Sequence, residues 1–216
     1  MRIVVIGASG RTGSLVVKAL VAARHQVVGT IRNPKHMAKL VKLGAEAALI
    51  DLDKSGFDDI VFAIKGADAI VFAAGSAGGE SSALDRKGTL RTVRAAEKAG
   101  VKRYVSISAI GASTGMSTKT MSDEMKDYYK EKRAAGKHIT GSTLDWTILE
   151  PAELTDGKGT GKVNLSEAPL EETKISRADV AAVTLAVLEA PKTIGHVYQL
   201  TAGKTAIGTA LKQALA

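Results

Sequence analysis

The chain has 216 residues, 45% of them hydrophobic, which is enough to bury a substantial core within one domain. It has no cysteine, so disulfides, thiolate metal sites and a cysteine nucleophile are all excluded. The net charge of +8 comes from basic residues interleaved with acids, and three Phe, four Tyr and one Trp offer few platforms for stacked bases, so nucleic acid is not an expected partner.

Short β-branched runs alternate with segments of helical period, the pattern of βαβ units. The first run, Ile3 to Ile6, is too short for a secretory signal, and no later stretch is long enough to span a bilayer. A cytoplasmic location without membrane contact is expected. A helix follows from Ser14 to Ala23, then a strand from His25 to Ile31, a helix from Pro34 to Leu43 and a strand from Ala47 to Ile50. Next come a helix from Phe57 to Ile64, a strand from Ala69 to Ala73, a helix from Ser82 to Ala99 and a strand from Arg103 to Ile107. The second half continues with a helix from Asp123 to Lys137, a strand from Thr143 to Leu149, a helix from Arg177 to Glu189 and a strand from Val197 to Leu200. Lys204 to Ala216 reads as a terminal helix, and the polar stretches 157–161 and 167–172 read as turns. The expected fold is α/β: a doubly wound parallel sheet of Rossmann type, one domain over residues 1–216, with a small C-terminal region on the substrate side.

Directly after the first strand comes Gly7-Ala8-Ser9-Gly10-Arg11-Thr12-Gly13, leading into a helix. In such a strand–turn–helix unit Gly7 permits the tight turn, Gly10 lets backbone approach a pyrophosphate, and Gly13 allows close helix–strand packing. The helix N-terminus adds free N–H groups for the phosphate. This turn, with Ser9, Arg11 and Thr12, is the expected seat of a nicotinamide dinucleotide.

The G-x-x-G-x-x-G spacing resembles the short-chain dehydrogenase/reductase superfamily, and more narrowly its small atypical group of NmrA-like proteins and flavin or biliverdin-B reductases. The resemblance covers nearly the whole chain. It extends to Asp51-Leu52, Ala73-Ala74-Gly75, Gly100 to Val105, Leu144 to Pro151, Gly159-Thr160-Gly161 and Ile175 to Ala181. It implies that Asp51 and Leu52 border the adenine and that Ala73, Ala74 and Gly75 lie along the dinucleotide. Pro151 is a further expected cofactor contact.

NAD-selective sites place an acid at the end of the second strand, whereas this chain has Thr30-Ile31-Arg32-Asn33. A guanidinium there suits a ribose phosphate, so NADP(H) is expected over NAD(H). Arg11 and Lys35 are further candidates for the same phosphate pocket.

Tyr128 and Lys132 are spaced to project from one helix face. A neighbouring ammonium favours phenolate, which would let tyrosine exchange a proton while hydride moves, and Lys132 is also a candidate to orient the nicotinamide ribose. The resemblance implies the same pair, because Tyr-x-x-x-Lys ahead of a Leu-Asp-Trp-Thr strand is where the superfamily's proton relay falls. Tyr129 competes for the role or faces the core. Ser108 is the candidate hydroxyl for a substrate carbonyl. The family often carries the hydroxyl one position later, where this chain has Ala109, and Ser106 and Ser108 share a strand face where either could instead satisfy backbone groups. Glu150-Pro151-Ala152 stands where the family often shows Arg-Pro-Gly, a reversed charge that bears on substrate. The loop from Ile110 to Met121 reads as a lid or a simple connection. His25, His36, His138 and His196 are scattered, so no metal is expected. The leading expectation is an NADP(H)-dependent oxidoreductase acting on a small carbonyl, quinone or flavin-like substrate. The alternatives are an NmrA-like redox sensor with a protein partner and a nucleotide-sugar epimerase-like isomerase.

Overall fold

A computed structural model describes residues 1–75, 82–114, 119–171 and 173–216. In chain order the elements are β1 (Arg2–Ile6), α1 (Arg11–Ala22), β2 (Gln26–Ile31), a 3-10 turn (Pro34–His36), α2 (Met37–Lys42), β3 (Glu46–Leu49), α3 (Phe57–Ile64), β4 (Ala69–Phe72), α4 (Ser82–Ala99) and β5 (Arg103–Ile107). There follow α5 (Asp123–Thr140), β6 (Asp145–Pro151), β7 (Glu153–Thr155), β8 (Lys162–Ser166), β9 (Lys174–Ser176), α6 (Arg177–Leu188), a 3-10 turn (Pro191–Thr193), β10 (His196–Ala202), β11 (Thr205–Ala206) and α7 (Ile207–Ala214).

Among the described residues the main sheet has nine strands in the order β3-β2-β1-β4-β5-β6-β10-β8-β11. From β3 to β10 every pairing is parallel. Helices cover both faces, because alternate residues along each strand point to opposite sides and both sides are apolar. On β1, Ile3 and Val5 pack with Val16 and Leu20 of α1 and Val183 of α6, while Val4 and Ile6 pack with Ile60 of α3 and Ala96 of α4. The order of strands reverses between β1 and β4, which opens a crevice at their carboxyl ends.

Several expectations change. The sheet is mostly parallel, as expected, but gains two antiparallel pairings at one edge: β8 runs antiparallel to β10, and β11 antiparallel to β8. Along β8, Val163 and Leu165 are buried while Lys162 and Asn164 are exposed, a period-two signal hidden in a polar stretch. Strands β7 and β9, also unexpected, form a separate parallel pair. Helix α1 begins at Arg11 rather than Ser14, so Arg11, Thr12 and Gly13 form its first turn. Helix α5 continues through Gly136 to Thr140 instead of ending at Lys137, and the terminal helix starts only at Ile207 because Thr205 and Ala206 are strand. Part of the loop expected as a lid, including Met116, lies outside the described residues.

Candidate functional site

The glycine turn is shaped by backbone contacts that no side chain could replace. Gly7 has φ +82°, and a Cβ there would lie 2.7 Å from the Ala74 backbone; one on Gly13 would lie 2.2 Å from the Gly7 carbonyl oxygen. The Gly10 N–H donates to the Gly7 carbonyl at 3.1 Å, so the turn uses that amide itself. Helix geometry leaves the amides of Arg11, Thr12 and Gly13 without intrahelical partners, and no acidic side chain occupies that first turn. Thr30, at the end of β2, braces the turn from the other side: its hydroxyl accepts the Gly7 N–H at 3.2 Å and its carbonyl the Ala8 N–H at 3.2 Å. Sequence reading missed this role; a buried, β-branched hydroxyl at a strand end was the signal.

A cleft of about 270 Å³ runs over the carboxyl ends of β1 to β4. Gly7, Ser9, Gly10, Arg32, Asp51 and Leu52 line it, and Ala73, Ala74 and Gly75 close its far wall. Arg32 is exposed and has no ion pair among the described residues. The Asp51 carboxylate accepts the Asp53 N–H at 3.0 Å, and the Arg91 guanidinium donates to the carbonyls of Leu52 and Ser55, so a residue of α4 holds the loop after β3 in shape. Lys35 lies outside this cleft, with its N–H bonded to the Asn33 side chain at 3.0 Å.

Ala73, Ala74, Gly75 and Gly10 also form one wall of a second hollow of about 170 Å³, whose other walls include Thr12, Ser108, Tyr128 and Lys132. Thus α5 brings the tyrosine and lysine to a hollow that adjoins the cleft. Lys132 is buried, with Nζ 2.8 Å from the carboxylate of Asp85 on α4 and 5.6 Å from the centre of the Tyr128 ring. Burial works against the ammonium, but Tyr128 and Asp85 together outweigh it, so the Lys132 pKa is raised. The Gly75 backbone lies so near that a Cβ there would be 3.4 Å from Lys132 Nζ. Ser108 lines this hollow, whereas Ser106 is buried and reaches only a narrow crevice beside Lys132. Tyr129 is the core-facing neighbour, packed with Ala109 and Ala112 and edge-on to Tyr128 at 5.5 Å.

A third, outer pocket of about 460 Å³ shares Ser108 and Tyr128 with the second. Pro151 lines this pocket, beside Ser108 and Tyr128. Arg11 is displaced from expectation. It lines the two inner and outer hollows rather than the Arg32 cleft, and its guanidinium meets Asp156 at 3.1 Å. Arg177 meets the same carboxylate at 2.7 Å. The reversed charge at Glu150 does not reach this pocket. Its side chain is fully buried, with Oε1 accepting from the Ser113 N–H at 2.8 Å and the Ser113 hydroxyl at 2.6 Å.

The NAD(P)H-binding family model matches residues 7–191. The chain belongs to that family. It is 35% identical to the uncharacterized sugar epimerase YhfK of Bacillus subtilis over 99% of this chain and 100% of that one. In fold it is similar to the oxidoreductase ylbE of Lactococcus lactis, with TM-score 0.87, 29% identity and coverage of 100% and 97%. It is likewise similar to ChuY, an anaerobillin reductase of Escherichia coli O157:H7, with TM-score 0.83, 25% identity and coverage of 94% and 97%. With the ylbE and ChuY proteins, the chain falls in the small NAD(P)H-binding, atypical group of the short-chain dehydrogenase/reductase superfamily.

The residues present fit a nicotinamide dinucleotide. A Cβ at Gly7 or Gly13 would break the cradle for the diphosphate, and the cleft and the hollow that holds Lys132 adjoin, sharing Gly10, Ala73, Ala74 and Gly75. Two motifs of the resemblance prove to serve the scaffold. The buried Asp179 carboxylate accepts the N–H groups of Thr160 and Gly161 at 3.0 and 2.8 Å and the Ser176 hydroxyl at 2.9 Å, joining the Gly159-Thr160-Gly161 turn to the start of α6. Among the described residues no helix is long and apolar enough to cross a membrane.

Proposed function

We propose that the protein is an NADP(H)-dependent oxidoreductase acting on a small carbonyl, quinone or flavin-like substrate. One observation carries the reading: Tyr128, Lys132 and Ser108 share a hollow with the glycine turn and the end of β4. The glycine turn and the first amides of α1 would hold the diphosphate, Asp51 and Leu52 the adenine side, and Arg32 the 2′-phosphate. The bound cofactor supplies or accepts the hydride. Tyr128 gives its hydroxyl proton to the substrate oxygen during reduction and takes it back during oxidation. Lys132 keeps a positive charge beside that hydroxyl, and Ser108 orients the substrate oxygen by donating a hydrogen bond.

Stopped-flow NADPH oxidation with a panel of carbonyls and quinones tests this. Tyr128→Phe is expected to lower kcat by about 100-fold or more; rates equal to the parent would remove the tyrosine from the mechanism. A second reading, a dinucleotide sensor that signals to a protein partner, draws support from Asp85, whose carboxylate engages the Lys132 ammonium on which a proton relay depends. NADPH that binds but is consumed with no acceptor would favour the sensor. The YhfK likeness keeps an epimerase in view, and turnover of a nucleotide sugar without net NADPH loss would favour that one.

A further inference from the structure

Arg177 opens α6, so its charge sits at the positive end of a helix, where a cation is disfavoured unless an anion compensates it. Its side chain is only 9% exposed, yet its compensating partner among the described residues is Asp156, which is 64% exposed on the link after β7. Arg11, in the first turn of α1, meets the other oxygen of the same carboxylate. Two guanidiniums from two helix starts therefore converge on one carboxylate at the rim of the outer pocket. A water-exposed counter-ion is weakly held. Arg177 also lines the hollow that contains Tyr128 and Lys132, so an anion bound to it lies beside the candidate proton donor. Glu153, an acid on the pocket wall, is matched by Lys174 at 3.5 Å. Ile110, Met125, Tyr129 and Leu154 give the pocket a largely apolar stretch of wall, with Ser108, Tyr128 and Thr173 as its uncharged polar members.

We infer that the outer pocket takes a substrate with an apolar or aromatic body and a carboxylate, and that Arg177, assisted by Arg11, is the carboxylate receptor. The word substrate rests on the oxidoreductase reading; the receptor itself does not. In the ligand-free protein Asp156 stands in for the ligand's carboxylate, and binding exchanges one carboxylate for another. A planar guanidinium suits this exchange because it can hold a carboxylate through two parallel N–H donors.

Calorimetry on protein saturated with NADP⁺ tests the receptor without turnover, using 2-naphthoate and its uncharged amide, 2-naphthamide. The acid is expected to bind at least about tenfold tighter than the amide. Arg177→Gln is expected to erase that preference while NADP⁺ affinity stays within about threefold of the parent. Asp156→Asn, which removes the competing carboxylate, is expected to widen it. Equal binding of acid and amide by the parent, or a preference that survives Arg177→Gln, would overturn the inference. If Arg177→Gln does not fold, Asp156→Asn decides alone, and an unchanged or narrowed preference overturns the inference. NADPH oxidation with 4-formylbenzoate and methyl 4-formylbenzoate separates the two proposals. No turnover of either, with the naphthoate preference intact, would remove the oxidoreductase reading and leave the receptor. Turnover of both at equal kcat/KM would remove the receptor and leave the oxidoreductase.

Discussion

A methyl group added at Gly13 would stand 2.2 Å from the Gly7 carbonyl oxygen, which is backbone and cannot swing aside. Gly13→Ala is therefore expected to push α1 off the turn, lowering stability and abolishing NADPH binding in calorimetry; parental affinity in the variant would show that the turn does not need the close approach. The same scale governs Lys132. Its ammonium is buried, and Asp85 supplies part of what keeps it charged. In Asp85→Asn burial acts with less opposition, so the Lys132 pKa falls and the charge beside Tyr128 is lost at lower pH. The alkaline limb of kcat/KM against pH should then move down by about one unit or more. An unmoved limb with reduced kcat would mean that Asp85 only supports packing. The Tyr128–Lys132 pair was legible because its partners sit one turn apart on a single helix. Asp85 was not, because it comes from α4 and meets Lys132 only after the helices pack. The Arg11 contact with Asp156 was hidden for a related reason: its partner lies far along the chain.

The elements that sequence reading found best were those buried on both faces, where a run of β-branched residues is nearly unbroken. Strand β8 escaped because only Val163 and Leu165 mark its inner face and its pairing with β10 is long-range. The link between β7 and α6 is held by the Asp179 clasp on the turn at Thr160 and Gly161. Asp179→Ala would leave those amides without their acceptor and is expected to cost on the order of 3 kcal/mol, roughly 6–12 °C in Tm for a chain of this size. A smaller fall in the melting curve than about 2 °C would mean that water replaces the carboxylate. The loop after β5 depends on β6 in the same way, through Glu150 and Ser113. Burial raises the Glu150 carboxyl above its ordinary value, against the hydrogen bonds from Ser113 and the charge of Arg133. As pH rises the unfolded chain ionises first, so Glu150 weakens the fold progressively between its ordinary and its raised pKa, and by a constant amount above both. Glu150→Gln keeps an accepting oxygen without the charge. Its Tm relative to the parent should therefore improve from about pH 4 to pH 8, by roughly 2–4 °C for each kcal/mol relieved. A gap that does not change with pH would show that the carboxyl is not the source.

Across the whole molecule, the chain divides the work between its two halves. The cleft over β1 to β4 is built from the N-terminal half, while the outer pocket draws on β6, β7 and α6 from the C-terminal half, with α5 between them. This division explains why the nucleotide side was readable in short motifs and the substrate side was not. Turn glycines and Asp51-Leu52 lie at strand ends in sequence order, whereas the outer pocket assembles single residues from separated elements. A ligand that grips only the folded N-terminal half stabilises the entire domain, since its α1 packs directly against α6 of the other half. At 100 times its Kd a dinucleotide contributes about 2.7 kcal/mol, which is roughly 5–11 °C in Tm at this chain length. NADPH should produce that shift at lower concentration than NADH, because Arg32 lines the adenine end of the cleft without an ion pair of its own among the described residues. Arg32→Ala should bring the two cofactors together by weakening NADPH and leaving NADH unchanged. Equal shifts by both cofactors in the parent would remove Arg32 as the phosphate clamp, while leaving the glycine turn, common to both nucleotides, as the seat of the diphosphate.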